Sequence, residues 1–142
     1  MIVIATKEDH QEIITVWELS VRATHHFLSE ADIQFFKPLI LDQYLDAVRL
    51  FCTRNEAGLI TGLLGLSDDK IEMLFIHPDV RGQGIGKQLL EYAVHEQQIR
   101  SVDVNEQNEQ AVGFYQHMGF RVIHRSPVDG MGKPFPLLSM SL

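Results

Sequence analysis

Hydrophobic positions change period several times along the chain, and each change marks an element. The short apolar run Ile2 to Ala5 reads as a first strand. Thr6, with Asp9 three residues on, resembles a capping box, and Ile13, Ile14, Trp17 and Val21 then recur at helical spacing, predicting a helix to about Thr24. Ser29 and Asp32 mark a second N-terminus. Ile33, Phe36, Ile40 and Tyr44 continue one face, and Pro38, which lacks an N–H, is expected to break or kink that segment into two short helices. Between the helices lies Ala23-Thr24-His25-His26-Phe27-Leu28, a polar and aromatic patch in a connection. Val48 to Thr53 and Leu59 to Leu66 read as a hairpin around the turn Asn55 to Gly58, and Ser67-Asp68-Asp69 leads into a third antiparallel strand ending at Ile76. Further on, Ile85, Leu89, Leu90, Ala93 and Val94 form a helical stripe, and Ser101 to Val104 reads as a fifth strand. Asn108 is a good N-cap for a helix that buries Ala111, Phe114, Tyr115 and Met118 and stops at Gly119. Arg121 to His124 and Leu137 to Ser141 read as last strands, separated by the Pro- and Gly-rich segment Pro127 to Pro136.

The densest chemistry lies between Lys70 and Leu90. An apolar strand turns at His77-Pro78-Asp79 and enters Arg81-Gly82-Gln83-Gly84-Ile85-Gly86, from which a helix starts. Glycines let a ligand approach the backbone closely, and the first N–H groups of the helix have no intrahelical partners, so this junction is an anion site. Two familiar phosphate loops do not fit. The dinucleotide fingerprint G-x-G-x-x-G would need glycine at Lys87 or at Leu89. The P-loop would need glycine at Arg81 and Ser or Thr at Gln88.

Composition narrows the partners. A chain of 142 residues, 45% hydrophobic, is long enough for one domain (1–142) with one substantial core. A net charge of −7 argues against nucleic acid, whose binding relies on concentrated Lys and Arg. It serves solubility and tolerates cationic substrates. The single cysteine, Cys52, sits in an apolar run and reads as a buried, inert thiol. With neither a long apolar h-region after Met1 nor a spanning segment, the sequence predicts a cytoplasmic protein away from membranes. The seven histidines are scattered apart from the pair His25-His26, so no metal site is expected. The oligomeric expectation is monomer or homodimer.

A second motif follows the fifth strand: Asn108-x-x-Ala111-x-x-Phe114-Tyr115-x-x-x-Gly119-Phe120. Together with the [RQ]-x-x-G-x-[GA] pattern of Arg81 to Gly86, it resembles the GNAT N-acetyltransferase superfamily. The resemblance covers Met1 to Gly119 as topology, and Ile71 to Lys87 and Asn105 to Phe120 as motif. It implies a mixed α/β fold: a largely antiparallel, six- to seven-stranded twisted sheet, splayed between strands 4 and 5, with helices on both faces. It implies acetyl-CoA as co-substrate, with pantetheine lying along Leu74, Phe75 and Ile76 as if it were another strand. Arg81, Gly82, Gln83, Gly84, Ile85, Gly86 and Lys87 would wrap the pyrophosphate, and Asn108 and Tyr115 belong to the same set of contacts. A backbone N–H near Phe75 would stabilise the oxyanion, and Tyr115 would donate a proton to the departing sulfur.

Glu72 is the candidate base, and His25 and Asn105 are candidate contacts for the acceptor amine, with Asp103 beside them. Strand alternation offers another reading of Glu72. It would face solvent, opposite Ile71 and Met73. His25 and His26 read equally as an idle surface pair. The implied activity is transfer of an acetyl group to a primary amine on a small molecule or a protein. The alternative is a non-catalytic acyl-CoA-binding regulatory module.

Overall fold

The computed structural model describes residues 1–142. Its seven strands are β1 (Ile2–Ile4), β2 (Arg49–Arg54), β3 (Ile60–Leu66), β4 (Lys70–Ile76), β5 (Ser101–Asn105), β6 (Arg121–Ser126) and β7 (Leu137–Ser141). They form one sheet in the order β1-β2-β3-β4-β5-β7-β6. Every neighbouring pair is antiparallel except β4 and β5. Those two run parallel and pair only at Lys70 with Ser101 and Ile71 with Val102, after which β4 has no strand on that side. The expected splay between strands 4 and 5 is present, and the sheet is mixed and largely antiparallel as expected.

All of β3 is buried, as a strand covered on both faces must be. On one face α1 (His10–Thr24) and α2 (Glu30–Leu39) pack Ile13, Trp17, Val21 and Ile33 against Leu50, Cys52, Leu63 and Met73. Cys52 is fully buried, as its apolar surroundings predict. On the other face α4 (Ile85–Glu91) and α5 (Glu109–His117) pack Leu89, Leu90 and Tyr115 against Leu64, Ile71, Val102 and Met140. Gly62 permits the close approach of α4, since a Cβ there would lie 2.8 Å from Ile85 and 2.9 Å from Leu89. The start signals are real caps. Thr6 N–H donates to Asp9 at 2.8 Å, Ser29 N–H donates to Asp32 at 3.0 Å, and Asp32 N–H returns a bond to Ser29 Oγ at 3.1 Å.

Pro38 does not cut the second helix in two. α2 runs through it to Leu39, and the chain then widens into a π-type turn, Ile40–Tyr44, before the single turn α3 (Leu45–Ala47). Proline removes one donor and crowds one carbonyl, and here the change of hydrogen-bond pattern absorbs that defect without a chain break. A π-type turn, Tyr92–Glu96, also closes α4. In α5 only Tyr115 is fully buried, while Ala111, Phe114 and Met118 are half-buried. β6 is an exposed edge strand, two residues longer than the sequence suggests. No helix is long and apolar enough to cross a membrane.

β4 carries the irregularity that matters most. Gly65 pairs with Met73 but Leu66 pairs with Ile71, so Glu72 is an extra, unpaired residue in a β-bulge. Ile71 packs with α4 and α5, whereas Met73 packs with α1 and α2, although strict alternation would put them on one face.

Candidate active site

Two cavities meet at the splay. The first, a groove of about 320 Å³, is walled by β4, the glycine loop and the start of α5. The phase of the β3–β4 ladder decides which backbone groups face it. His77 N–H bonds Thr61 O at 2.8 Å, and β3 and β4 stay in register from there to Leu63 opposite Phe75. Backbone groups alternate sides along a strand, so Phe75 turns its N–H and C=O toward β3. Leu74 and Ile76 turn theirs into the opening. The N–H groups free near Phe75 are thus those of its neighbours Leu74 and Ile76, and all three residues line the groove.

Beyond His77 the loop takes positive φ at Gly82 (+78°) and Gly84 (+84°), a conformation L side chains rarely adopt. No neighbouring atom lies within 4 Å of where a side chain would begin at either glycine, so backbone conformation requires them and packing does not. Arg81 bonds Gln110 across the mouth of the groove, and Lys87 is exposed, 4.0 Å from Glu91. Ile85, Gly86 and Lys87 line the groove; Gln83 alone of the loop does not. Asn108 caps α5 through Oδ1, which accepts from Ala111 N–H at 3.2 Å, and it also lines the groove. These parts fit acetyl-CoA: free strand amides for pantetheine, and an open glycine cradle with two flanking cations for the phosphates.

Tyr115 sits on the inner wall of the groove, 5% exposed and edge-on to Phe114 and Phe120. Burial pushes its phenol well above the usual tyrosine range, so it holds its proton at any working pH. No side chain or backbone group accepts that proton in the protein, and no fully buried side-chain polar atom is left without a partner. The hydroxyl is therefore open to the groove.

The second cavity, of about 600 Å³, lies on the α1 and α2 side. Its lining is mostly apolar and includes Trp17, Phe36, Tyr44 and Phe135, with three carboxylates, Glu72, Asp103 and Asp129, and no Lys or Arg. Glu72 and Met73 both reach it because the bulge turns two successive residues the same way, where strict alternation would put them on opposite faces. Glu72 is exposed and accepts one bond, from Ser67 Oγ at 2.9 Å. Asp103 is already satisfied by Lys70 at 3.0 Å and Ser139 Oγ at 2.9 Å; Asn105 lines the wall beside it.

The segment between β6 and β7, which carries no motif, closes this cavity. Phe135 sits 5.9 Å from Phe27 and 6.3 Å from Phe36 between ring centroids, and Tyr44 donates to Met131 Sδ at 3.2 Å. Lys133 lies over the Phe35 ring at 4.3 Å, and Asp129 accepts from Met131 and Lys133 N–H to shape the turn. An aromatic residue held between Pro134 and Pro136 was the available signal.

The histidine pair is divided. His26 is exposed, whereas His25 is 8% exposed and lines both cavities, a position it shares only with Phe75. Burial, and then the charge of His26, lower its pKa to about 4, so the ring is neutral.

The family model for the acetyltransferase (GNAT) domain matches residues 10–140. The chain belongs to the GNAT acetyltransferase family. It is 44% identical over 133 residues to the peptidyl-lysine N-acetyltransferase YjaB of Salmonella typhimurium, covering 94% of this chain and 91% of that one. The solution structure of apo YjaB from Escherichia coli superposes with a TM-score of 0.90 at 41% identity, covering 99% of this chain and 95% of the other. The PaiA N-acetyltransferase of Thermoplasma acidophilum, solved in complex with coenzyme A, shares the fold with a TM-score of 0.76 at 19% identity over 100% of this chain and 99% of its own. This GNAT chain is therefore an acyltransferase that moves an acetyl group from acetyl-CoA to an amine. The regulatory, non-catalytic alternative is set aside.

Proposed function

We propose that this GNAT domain, residues 1–142 acting as one catalytic unit, acetylates the ε-amine of lysine side chains in proteins or peptides. The observation that carries the reading is the second cavity, where Glu72, paired with no cation, and the absence of Lys or Arg from the lining suit a cation while the aromatic wall suits a long aliphatic stem. At about 600 Å³ it exceeds what one lysine side chain fills, leaving room for a neighbouring residue of a polypeptide. The relatives named peptidyl-lysine N-acetyltransferases support the same class of acceptor.

Acetyl-CoA supplies an acyl thioester, an electrophile open to direct attack by a neutral amine. Leu74 and Ile76 offer the strand amides that hold the pantetheine arm and receive the charge building on the carbonyl oxygen. Gly82, Gly84 and Gly86, with Arg81 and Lys87, take the phosphates; distant carboxylates are screened beyond about 8–10 Å at physiological salt. Tyr115 donates its proton to the departing sulfur. Glu72 draws the ammonium form of the acceptor into the cavity and helps to strip its first proton to bulk water.

The test is release of CoA thiol with matched acceptors: lysine-containing peptides, free lysine, spermidine and an N-terminal amine. Lysine peptides with an apolar residue beside the lysine are expected to give the highest kcat/KM. A preference for spermidine or for an N-terminal amine would defeat the lysine assignment.

A further inference from the structure

Only one titratable side chain borders both cavities, and its hydrogen bonds define its chemistry. Thr24 Oγ1 stands 2.8 Å from Ser20 O and 2.7 Å from His25 Nδ1, and both contacts are satisfied together when the hydroxyl donates to Ser20 O and Nδ1–H donates to the hydroxyl oxygen. That bond sets the tautomer and leaves Nε2 without a hydrogen. Nε2 has no partner in the protein, and since no fully buried side-chain polar atom lacks one, it opens into the cavities. The ring is held by Phe27 at 5.2 Å and Phe75 at 6.1 Å between centroids. A nearly buried imidazole with a bare nitrogen therefore stands where the groove for the acyl donor meets the cavity for the amine.

We propose that His25 accepts an N–H of the acceptor amine through Nε2 and takes that proton as the new N–C bond forms. This rests on the two-cavity reading of the active site, and it gives His25 the final proton transfer while Glu72 acts only on the incoming ammonium. In the balanced step the amine nitrogen bonds the carbonyl carbon and the C–S bond breaks. The proton leaving nitrogen goes to Nε2, and the sulfur takes the Tyr115 hydroxyl proton. Imidazolium and phenolate then return to neutral by exchange with water, leaving amide and thiol. A weak base suffices, because the N–H becomes strongly acidic only as the bond forms. Glu72 is less suited to this step, since it lines the acceptor cavity alone and is bonded to Ser67.

The experiment compares His25→Gln and His25→Ala with the wild-type chain, on whichever amine the wild type acetylates best. A different acceptor class thus refutes the lysine assignment without touching this one. Glutamine retains an acceptor near the Nε2 position but cannot take the proton. It is expected to lower kcat by about 10²- to 10⁴-fold while KM for the amine and the thermal shift with acetyl-CoA stay near wild type. In His25→Ala, imidazole added to the buffer is expected to restore turnover in a saturable way. A wild-type kcat in His25→Gln overturns the proposal. So does a His25→Ala defect that imidazole leaves unchanged, or loss of the acetyl-CoA thermal shift in both variants, which would make His25 a structural residue.

Discussion

The groove and the acceptor cavity share one wall but recognise ligands by different means. The groove presents backbone: amides of Leu74 and Ile76, and a loop bent by Gly82 and Gly84. The cavity presents side chains: rings from α1, α2 and the β6–β7 segment, with carboxylates on the strands and the turn. Backbone recognition tolerates changed side chains but demands particular dihedral angles, which suits a ligand common to many enzymes. Side-chain recognition can be altered residue by residue, which suits an acceptor particular to one enzyme. β4 serves both, because its bulge at Glu72 turns two successive residues into the cavity while the next residues keep amides free for the groove.

The largest separation of the two regions should come from Tyr115→Phe. The ring keeps its edge contacts with Phe114 and Phe120, and only the proton donor is removed. Turnover should fall by about 10²- to 10⁴-fold, while the thermal shift with acetyl-CoA and KM for the amine hold. Unchanged turnover in steady-state assays would return Tyr115 to a packing role and leave the groove as a binding element alone.

Where the regions touch, His25 gives a signal in stability. Its folded pKa of about 4 lies below its ordinary value of 6.5, because burial and the charge of exposed His26 both disfavour imidazolium; the ring's one polar partner, Thr24, is uncharged, and the carboxylates that line the same cavity, Glu72, Asp103 and Asp129, do not reverse this. The folded state thus binds the proton less well than the unfolded chain. Stability is complete above pH 6.5, falls as pH drops from 6.5 to 4, and changes no further below that on account of this group. The loss should be at most about 3 kcal/mol. Denaturant titrations of wild type and His25→Gln should diverge in that window and nowhere else. Parallel curves would mean that the imidazole is solvated in the folded protein.

Legibility in the sequence followed the same division. The groove was readable because its parts are contiguous: strand, loop and helix start lie between Lys70 and Lys87, and α5 announces itself by Asn108 and Tyr115. Phase was not legible there, since periodicity cannot say whether Phe75 or Leu74 turns its amide outward until the register with β3 is known. The cavity was read only in fragments. His25, Glu72 and Asn105 were singled out and do line it, but Phe36 and Phe135, 99 positions apart, meet only through folding. The bulge was equally hidden, because Met73 to Ile76 are apolar without interruption, and a shift of phase in an unbroken apolar run leaves no mark on the alternation. Pro38 misled for a related reason: the rule counts the lost hydrogen bond, but not the π-type turn that follows it.

The smallest expected effect concerns Phe135, and it tests whether the cavity is independent of the groove. Its ring is half-buried, tilted against Phe27 and Phe36, and belongs to the segment that closes the acceptor side. Aromatic pairs of this kind contribute roughly 0.5–1.5 kcal/mol beyond their burial. Phe135→Ala should therefore weaken acceptor selection by about 1.4 kcal/mol, a tenfold fall in kcat/KM for a lysine peptide. The fall should appear in KM, because on the proposed reading the ring would hold the stem of the acceptor, and it lines the cavity, whereas Tyr115 lines the groove. Acetyl-CoA should stabilise the variant as much as wild type. A smaller thermal shift with acetyl-CoA would break the comparison, since packing of the β6–β7 segment would then reach across β4 and the two cavities would respond as one.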